Sequence, residues 1–184
     1  MIAPRLLEGP MASLDEILLH RERRWQEQQD LLSRGQCLVS FTMNIPGAKK
    51  QFPLELAGFE TGLRELRTVL PVREERLYHA VTGDEALLLL DLPPWEAKKK
   101  TVRLEQTHPL GRLWDMDVLN HEGCSLSRTA LGLPQRRCLV CGEAAKVCGR
   151  SRRHSPEQLF QCAAQRLHDF FRTQAADVAG SCAL

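Results

Sequence analysis

The sequence predicts an α+β fold in which helices pack on a small mixed or antiparallel sheet. Several stretches space their apolar residues as amphipathic helices do, and shorter stretches between turn residues alternate or branch as strands do. A chain of 184 residues with 43% hydrophobic content is typical of one domain with a buried core. We therefore expect a single domain over residues 13–176, after a flexible lead-in over 1–12 and before a tail over 177–184.

The first helix is predicted over residues 13–34. It opens on the capping-box pattern Ser13-Leu14-Asp15-Glu16, and Gly35 after it is a typical helix stop. Arg21 and Arg24 lie mostly off its apolar stripe, and a basic helix face of this kind is usually solvated.

A buried strand is predicted over residues 37–43, which alternate and branch. The strand ends at a turn over 44–50 that contains Pro46-Gly47. Lys49 and Lys50 at the tip of this turn suit a polyphosphate or an acidic protein surface, although a solvated hairpin tip explains them equally well.

The middle of the chain returns to helical spacing over 52–70 and again over 95–107. Between these helices, strands over 76–81 and 86–92 flank a turn, as in a β-hairpin. The second strand contains the continuous apolar run 87–90, which is typical of a central strand covered on both faces.

His108-Pro109 ends the preceding helix. The remaining predicted elements are a strand over 115–119, a turn over 120–123, a return strand over 124–128, and a last helix from the capping box at Ser155 to about Ala176.

Asp115 and Asp117 are the central feature of the sequence. In a strand they share one face, because strand side chains alternate with a period of two. Two neighbouring carboxylates repel each other unless a cation lies between them, and a hard divalent ion such as Mg²⁺ would relieve that repulsion. Asp-x-Asp pairs also occur as solvated or capping residues at strand ends, so this reading stays open beside the metal site.

The residues just before the aspartates favour phosphate chemistry. Gly111 lets a ligand approach the backbone, Arg112 offers a guanidinium that matches phosphate, and His108 and Trp114 add a titratable ring and a stacking surface. A cation, a phosphate and an arginine are what nucleotidyl or phosphoryl transfer needs. We therefore expect the α+β fold to be nucleotidyltransferase-like.

A Cys/Arg-rich insert is predicted over residues 136–154. Its pattern Cys138-x2-Cys141-x6-Cys148-x5-His154 could hold a structural zinc ion, although the second spacing is not a standard one. Ordinary buried thiols or a redox pair are the alternatives. Arg136 and Arg137 begin the block, which carries more arginines than a structural zinc site requires.

Composition limits the classes of partner. A net charge of +2 and a pI near 8.2 do not favour nucleic acid, and no apolar run is long enough to span a membrane. The seven cysteines, without an export signal, are typical of reduced thiols. We expect a cytoplasmic protein with neither a nucleic-acid nor a membrane partner.

Three separated blocks resemble the citrate lyase holo-acyl-carrier-protein synthase family, also called apo-citrate lyase phosphoribosyl-dephospho-CoA transferase. They are His108 to Leu119 (HPLGRLWDMDVL), Leu38 to Gly47 (LVSFTMNIPG), and Arg136 to Cys141 continuing through Cys148 to His154, and the likeness runs over about 13–172. The resemblance implies transfer of the prosthetic group from triphosphoribosyl-dephospho-CoA to a serine of the apo acyl carrier protein (gamma chain) of citrate lyase, with release of diphosphate. It leaves the acceptor open, because the related malonate decarboxylase system attaches the same group to its own carrier.

The resemblance also suggests roles for individual residues. Mg²⁺ would bind Asp115 and Asp117, Arg112 would contact the triphosphate, and His108 would accept a proton unless its ring is only structural. The other implied contacts to phosphate or carrier are Arg21, Arg24, Lys49, Lys50, Gly111, Arg136 and Arg137. Nucleotidyltransferases usually recruit a third carboxylate, for which Glu105, Glu122 and Asp91 are equal candidates.

Two other functions remain compatible with the sequence. One is a zinc-ribbon-like binding module that docks an acidic protein partner through its arginines, with the aspartates merely solvated. The weaker one is a cysteine redox protein.

Overall fold

The computed structural model describes residues 2–181. Within them the chain forms a four-stranded antiparallel sheet with strand order β2-β3-β1-β4 and five α-helices. The elements are α1 (Leu14–Leu32), β1 (Cys37–Met43), α2 (Pro53–Val69), β2 (Val72–Ala80), β3 (Gly83–Leu90), α3 (Pro94–Thr107), β4 (Trp114–Asn120), α4 (Ala145–Ser151) and α5 (Pro156–Ser181). The predicted α+β class with an antiparallel sheet is confirmed.

The main core lies on one face of the sheet, where α2, α3 and α5 pack. Strand alternation puts Phe41 of β1, Leu88 of β3 and Trp114 of β4 on this face, all with no exposed surface. The continuous run in β3 is buried on both faces between β2 and β1, which confirms the prediction of an inner strand.

The opposite face of the sheet is only partly covered. Leu31 and Leu32 at the end of α1 pack there against Leu38, Leu87 and Leu89, in a smaller apolar cluster that includes Leu119. This helix contacts β1 and β3, and the part of the face that belongs to β4 carries polar residues. The polar part of this face is where the candidate site lies.

Local sequence signals set several boundaries correctly. The predicted capping box is present, because Ser13 Oγ accepts from the Glu16 amide (3.2 Å) and the Glu16 carboxylate accepts from the Ser13 amide (2.8 Å). The hairpin between β2 and β3 turns more tightly than predicted, since β3 already begins at Gly83 with a φ of +107°.

The predicted return strand over 124–128 is wrong. Only Ser125 forms an isolated bridge, to Leu119. Beyond it, Ser127 Oγ accepts from the Ala130 amide, and the chain enters a short 3-10 helix over Thr129–Leu131. Local hydrogen bonds of this kind compete with the sheet ladder, so β4 remains an edge strand.

The insert and the two ends contain structure that the sequence did not reveal. Helix α4 lies inside the cysteine block, and Arg152 ends it in the left-handed region at a φ of 47°. A short 3-10 helix, Pro4–Leu7, lies in the predicted lead-in, and Leu6 and Leu7 pack against the core. Helix α5 reaches Ser181, and residues 182–184 of the predicted tail lie outside the described residues. The division into lead-in, domain and tail stays a prediction.

No helix within residues 2–181 combines the length and the apolar character needed to cross a membrane.

Candidate functional site

The two aspartates lie on the same face of β4, as predicted. Their neighbours Trp114, Met116 and Val118 are fully buried in the main core, so Asp115 and Asp117 project to the opposite, partly open face. Part of Asp117 reaches solvent, but burial of its carboxyl and the nearby Asp115 raise its pKa. The repulsion expected from the sequence is therefore present in the fold.

Basic groups surround the two carboxylates. Arg136 Nη1 lies 3.0 Å from Asp115 Oδ1, and Lys98 is buried with its Nζ 3.2 Å from the Met116 carbonyl oxygen. Burial lowers the pKa of Lys98. These groups line a cavity of 330 Å³, which we call the aspartate cavity. The charged and amide side chains that line it are Lys98, Asp115, Asp117, Arg128, Gln135, Arg136 and Lys146.

Glu105 of α3 holds the arginines at this cavity. Its carboxylate accepts from the Met116 amide (3.1 Å) and pairs with both Arg128 and Arg136 while almost fully buried. Because both oxygens are occupied, Glu105 acts here as a support for cations. The other two candidates for a third carboxylate, Asp91 and Glu122, follow Leu90 and Asn120, which pair with Cys37 at the end of the sheet remote from Asp115.

A second cavity of 450 Å³ lies beside the first, and we call it the arginine cavity. Its titratable lining residues, apart from Cys138, are Glu105, His108, Arg112, Arg128, Arg136, Arg137 and Arg166. Arg128, Gln135 and Arg136 line both cavities, whereas Arg112 and Arg137 line only the second. The predicted phosphate contacts Arg112, Arg136 and Arg137 are thus brought together, but only Arg136 also reaches the aspartates.

His108 is not brought to the aspartates. Its Nδ1 accepts from the Leu110 amide (3.0 Å), and its ring stacks on Trp114 with 4.3 Å between the centroids. Trp114 belongs to the main core, on the face of β4 opposite to Asp115. Burial lowers the pKa of His108. Stacking on Trp114 and the hydrogen bond from Leu110 favour a structural role for the ring, and a role of His108 as proton acceptor stays a prediction.

Gly111 has a packing role that the sequence did not show. A Cβ at this position would lie 2.5 Å from the Leu104 carbonyl oxygen and 2.6 Å from that of Glu105. The missing side chain therefore lets the loop before β4 press against the end of α3, even though Gly111 also lines the arginine cavity.

A third cavity of 420 Å³ opens on the other side of Asp115, under α1. Three residues that the sequence suggested as anion contacts line it, namely Arg21, Arg24 and Lys50, and that role stays a prediction. Lys50 donates to the Ile45 carbonyl, and burial lowers its pKa. Lys49 instead donates to the Leu7 carbonyl (2.9 Å) and does not line this cavity.

The buried carboxylate Glu85 of β3 was not predicted from the sequence. His20 Nε2, Arg23 Nη2 and Arg24 Nε lie 2.8, 2.9 and 2.5 Å from its oxygens. Arg24 is therefore engaged in holding α1 to the sheet. The sequence shows this cluster only as His20 followed three and four residues later by Arg23 and Arg24, and the structure adds that His20 is buried.

A buried acid pair was missed as well. Glu55 of α2 has no exposed surface, and burial together with Asp84 raises its pKa to about 9. Asp84 accepts from His79 (2.8 Å) and lines the third cavity with Asp115. A single glutamate in an apolar helix gave no signal that distinguished it from a solvated one.

The cysteine block brings its four predicted ligands together. One ligand atom from each of Cys138, Cys141, Cys148 and His154 lies within 4.8 Å of the others. His154 Nε2 is buried without a hydrogen-bond partner, and a hydrogen bond with the Cys141 thiol raises the pKa of Cys148 to about 11. Three crowded thiols and an unpartnered imidazole nitrogen form a donor set that could hold a metal ion.

Comparison with known proteins agrees with these features. The family profile described as apo-citrate lyase phosphoribosyl-dephospho-CoA transferase matches residues 12–170. A protein of that name from Citrobacter koseri is 39% identical over 85% of this chain and 89% of its own, and one from Escherichia coli is 36% identical over 91% and 95%. A Vibrio cholerae protein named as a probable member is 38% identical over 86% of this chain and 93% of its own. The chain therefore belongs to the apo-citrate lyase phosphoribosyl-dephospho-CoA transferase family.

Proposed function

We propose that this protein transfers the 2'-(5''-phosphoribosyl)-3'-dephospho-CoA group from its triphosphoribosyl precursor to a serine of the apo acyl carrier protein (gamma chain) of citrate lyase. The observation that carries this proposal is the pair Asp115 and Asp117 on an open strand face, beside Arg128 and Arg136. The family of the chain supports the same reaction.

The reaction is a nucleotidyl transfer. The serine hydroxyl loses its proton to solvent and its oxygen forms a bond to the α-phosphorus. The bond from that phosphorus to the oxygen that bridges it to the β-phosphate breaks, and diphosphate leaves with that oxygen. Negative charge develops on the leaving diphosphate, and Arg128, Arg136 and Lys98 are placed to stabilise it. Glu105 keeps the two guanidinium groups in position, since it pairs with both.

Asp115 and Asp117 fit a magnesium site. Arg136 pairs with Asp115, and burial together with the neighbouring Asp115 raises the pKa of Asp117, so a further cation between the two carboxylates would be favourable. Mg²⁺ bound there would polarise the α-phosphate and help neutralise the diphosphate. The protein would be nucleotidyltransferase-like in the sense that a strand edge presents paired aspartates to a nucleotide.

Cys138, Cys141, Cys148 and His154 would hold a structural zinc ion. In a tetrahedral site with bonds of about 2.3 Å, sulfur atoms lie about 3.8 Å apart, and Cys141 Sγ and Cys148 Sγ are already 3.4 Å apart. Such an ion would fix the fold of the insert. It would thereby place Arg136 and Arg137 at the cavities.

The binding-module alternative is less well supported. It requires the aspartates to be idle, whereas the fold surrounds them with cations from α3 and from the insert. The zinc cluster alone fits both functions, so it does not separate them.

Transfer itself is the decisive test. The purified protein is incubated with triphosphoribosyl-dephospho-CoA, Mg²⁺ and apo carrier protein, and the carrier is weighed by intact mass spectrometry. We expect one added phosphoribosyl-dephospho-CoA group on the citrate lyase carrier and none with Asp115→Asn. The malonate decarboxylase carrier serves as the comparison acceptor, and unchanged transfer by Asp115→Asn would refute the assigned site.

A further inference from the structure

The arginine cavity carries more positive charge than its own contacts neutralise. Five arginines line it, and Glu105 is the only acidic residue among them. Glu105 pairs with Arg128 and Arg136, and Arg136 also pairs with Asp115. Arg112, Arg137 and Arg166 form no ion pair among the described residues, so the part of the cavity they line is open to an anion.

Arg112 shows this deficit at the level of atoms. Its Nε donates to the Arg137 carbonyl oxygen (2.6 Å), but its buried Nη1 has no hydrogen-bond partner within residues 2–181. Burial, together with the neighbouring guanidinium groups of Arg136, Arg128 and Arg166, lowers its pKa. A buried guanidinium nitrogen that lacks an acceptor is unfavourable, and a phosphate oxygen would satisfy it.

The arginine cavity is distinct from the aspartate cavity and adjacent to it. The two share Arg128, Gln135 and Arg136. Of these two cavities, Asp115 and Asp117 line the aspartate cavity alone, and Arg112, Arg137 and Arg166 line the arginine cavity alone. A ligand that occupies both must therefore carry two separate anionic groups. The proposed precursor does, because its 5''-triphosphate and the diphosphate of dephospho-CoA stand on different riboses.

We propose that the arginine cavity binds the diphosphate of the dephospho-CoA portion, while the aspartate cavity takes the triphosphate. This inference rests on the proposed function. It also revises the sequence-based role of Arg112 from a triphosphate contact to a dephospho-CoA contact, because Arg112 does not reach the aspartate cavity.

The two anionic groups can be supplied as separate probes. Dephospho-CoA and inorganic triphosphate with Mg²⁺ are each titrated calorimetrically into the full chain. We expect Arg166→Gln to weaken dephospho-CoA binding at least tenfold and to leave triphosphate binding unchanged within twofold. Arg166 is exposed on α5, so its replacement does not disturb the core.

Two variants complete the design. Asp117→Asn should weaken the binding of triphosphate with Mg²⁺ and leave the binding of dephospho-CoA unchanged. Arg172 is also exposed on α5 but does not line the cavity, so Arg172→Gln should change the binding of neither probe. Three results would each overturn the inference. They are equally weakened binding of both probes to Arg166→Gln, weakened binding of triphosphate alone to this variant, and no binding of dephospho-CoA to the wild type. Binding is measured without a carrier protein, so the binding assay and the transfer assay are independent. Failure of transfer would refute the proposed function, and the binding assay would still test the assignment of the two cavities.

Discussion

Arg136 Nη1 lies 3.0 Å from Asp115 Oδ1, so the insert and β4 meet at the aspartates. A second nitrogen of the same guanidinium group donates to the Trp114 carbonyl oxygen (2.9 Å) and also contacts Glu105. One arginine thus connects the cysteine block, the strand with the aspartates and α3. A change in any of these three parts is expected to reach the site through this side chain.

Asp117→Asn should lower the rate of prosthetic-group transfer by at least about 100-fold, because the variant keeps the shape of the side chain but removes a charge needed for the metal ion. Asp91→Asn is the matched control, since Asp91 is exposed and pairs with Arg73 at the other end of the sheet. Its rate should stay within about twofold of the wild type. Equal loss in both variants, measured by intact mass of the carrier over time, would contradict the prediction.

Glu105→Gln should destabilise the fold and also impair transfer. The amide can still accept from the Met116 N–H, but the charge that Arg128 and Arg136 share is removed in a buried setting. Loss of one partner from buried ion pairs costs about 3 kcal/mol, so we expect a decrease of this order in the free energy of unfolding in urea. Glu122→Gln, in an exposed turn, should change that free energy by less than about 0.5 kcal/mol. A stable Glu105→Gln protein would show that the arginines are held by other contacts.

Glu55 should make stability depend on pH. Its pKa rises from 4.5 to about 9 on folding, so the protonated form is favoured in the folded state. The stability that this group contributes is full below pH 4.5 and is lost as the pH rises through about 9. Glu55→Gln, which cannot ionise, should therefore gain stability relative to the wild type between pH 5 and pH 9 in urea titrations. If the free energies of unfolding of the two proteins differ by the same amount at every pH in this range, Glu55 is not protonated preferentially in the folded state.

The purified protein should contain about one zinc ion per chain, as measured by elemental mass spectrometry. Cys148→Ser should lose the metal and lower the thermal midpoint, since metal binding is coupled to folding of the insert. Cys124→Ser, an exposed cysteine outside the cluster, is the matched control and should keep both. Metal-free wild-type protein with an unchanged midpoint after chelation would leave the cluster as ordinary thiols.

Local patterns predicted the parts of the fold that depend on neighbours in sequence. The capping box at Ser13, the inner strand β3 and the shared face of Asp115 and Asp117 each follow from periodicity or from short-range hydrogen bonds. These features need no knowledge of what lies across the molecule.

The remaining features depend on contacts between distant positions. Glu105 and Arg136 are 31 residues apart, and His20 and Glu85 are 65 apart, so no local pattern could pair them. The position of the His108 ring could not be predicted for the same reason, since its stacking on Trp114 is decided by the face of β4 that the core covers. A return strand after β4 was expected from turn residues, but local serine and threonine hydrogen bonds stopped the ladder.

Two kinds of contact attach α1 to the sheet beside the third cavity. Leucines hold the carboxyl-terminal end of this helix, whereas its middle is fastened by the single buried charge of Glu85 to one histidine and two arginines. Loss of one partner from a buried ion-pair cluster leaves the other charges uncompensated, whereas the leucine contacts do not depend on charge. Replacement of Glu85 by glutamine should therefore free the middle of α1 while its carboxyl-terminal end stays packed, which would widen the access to Asp115.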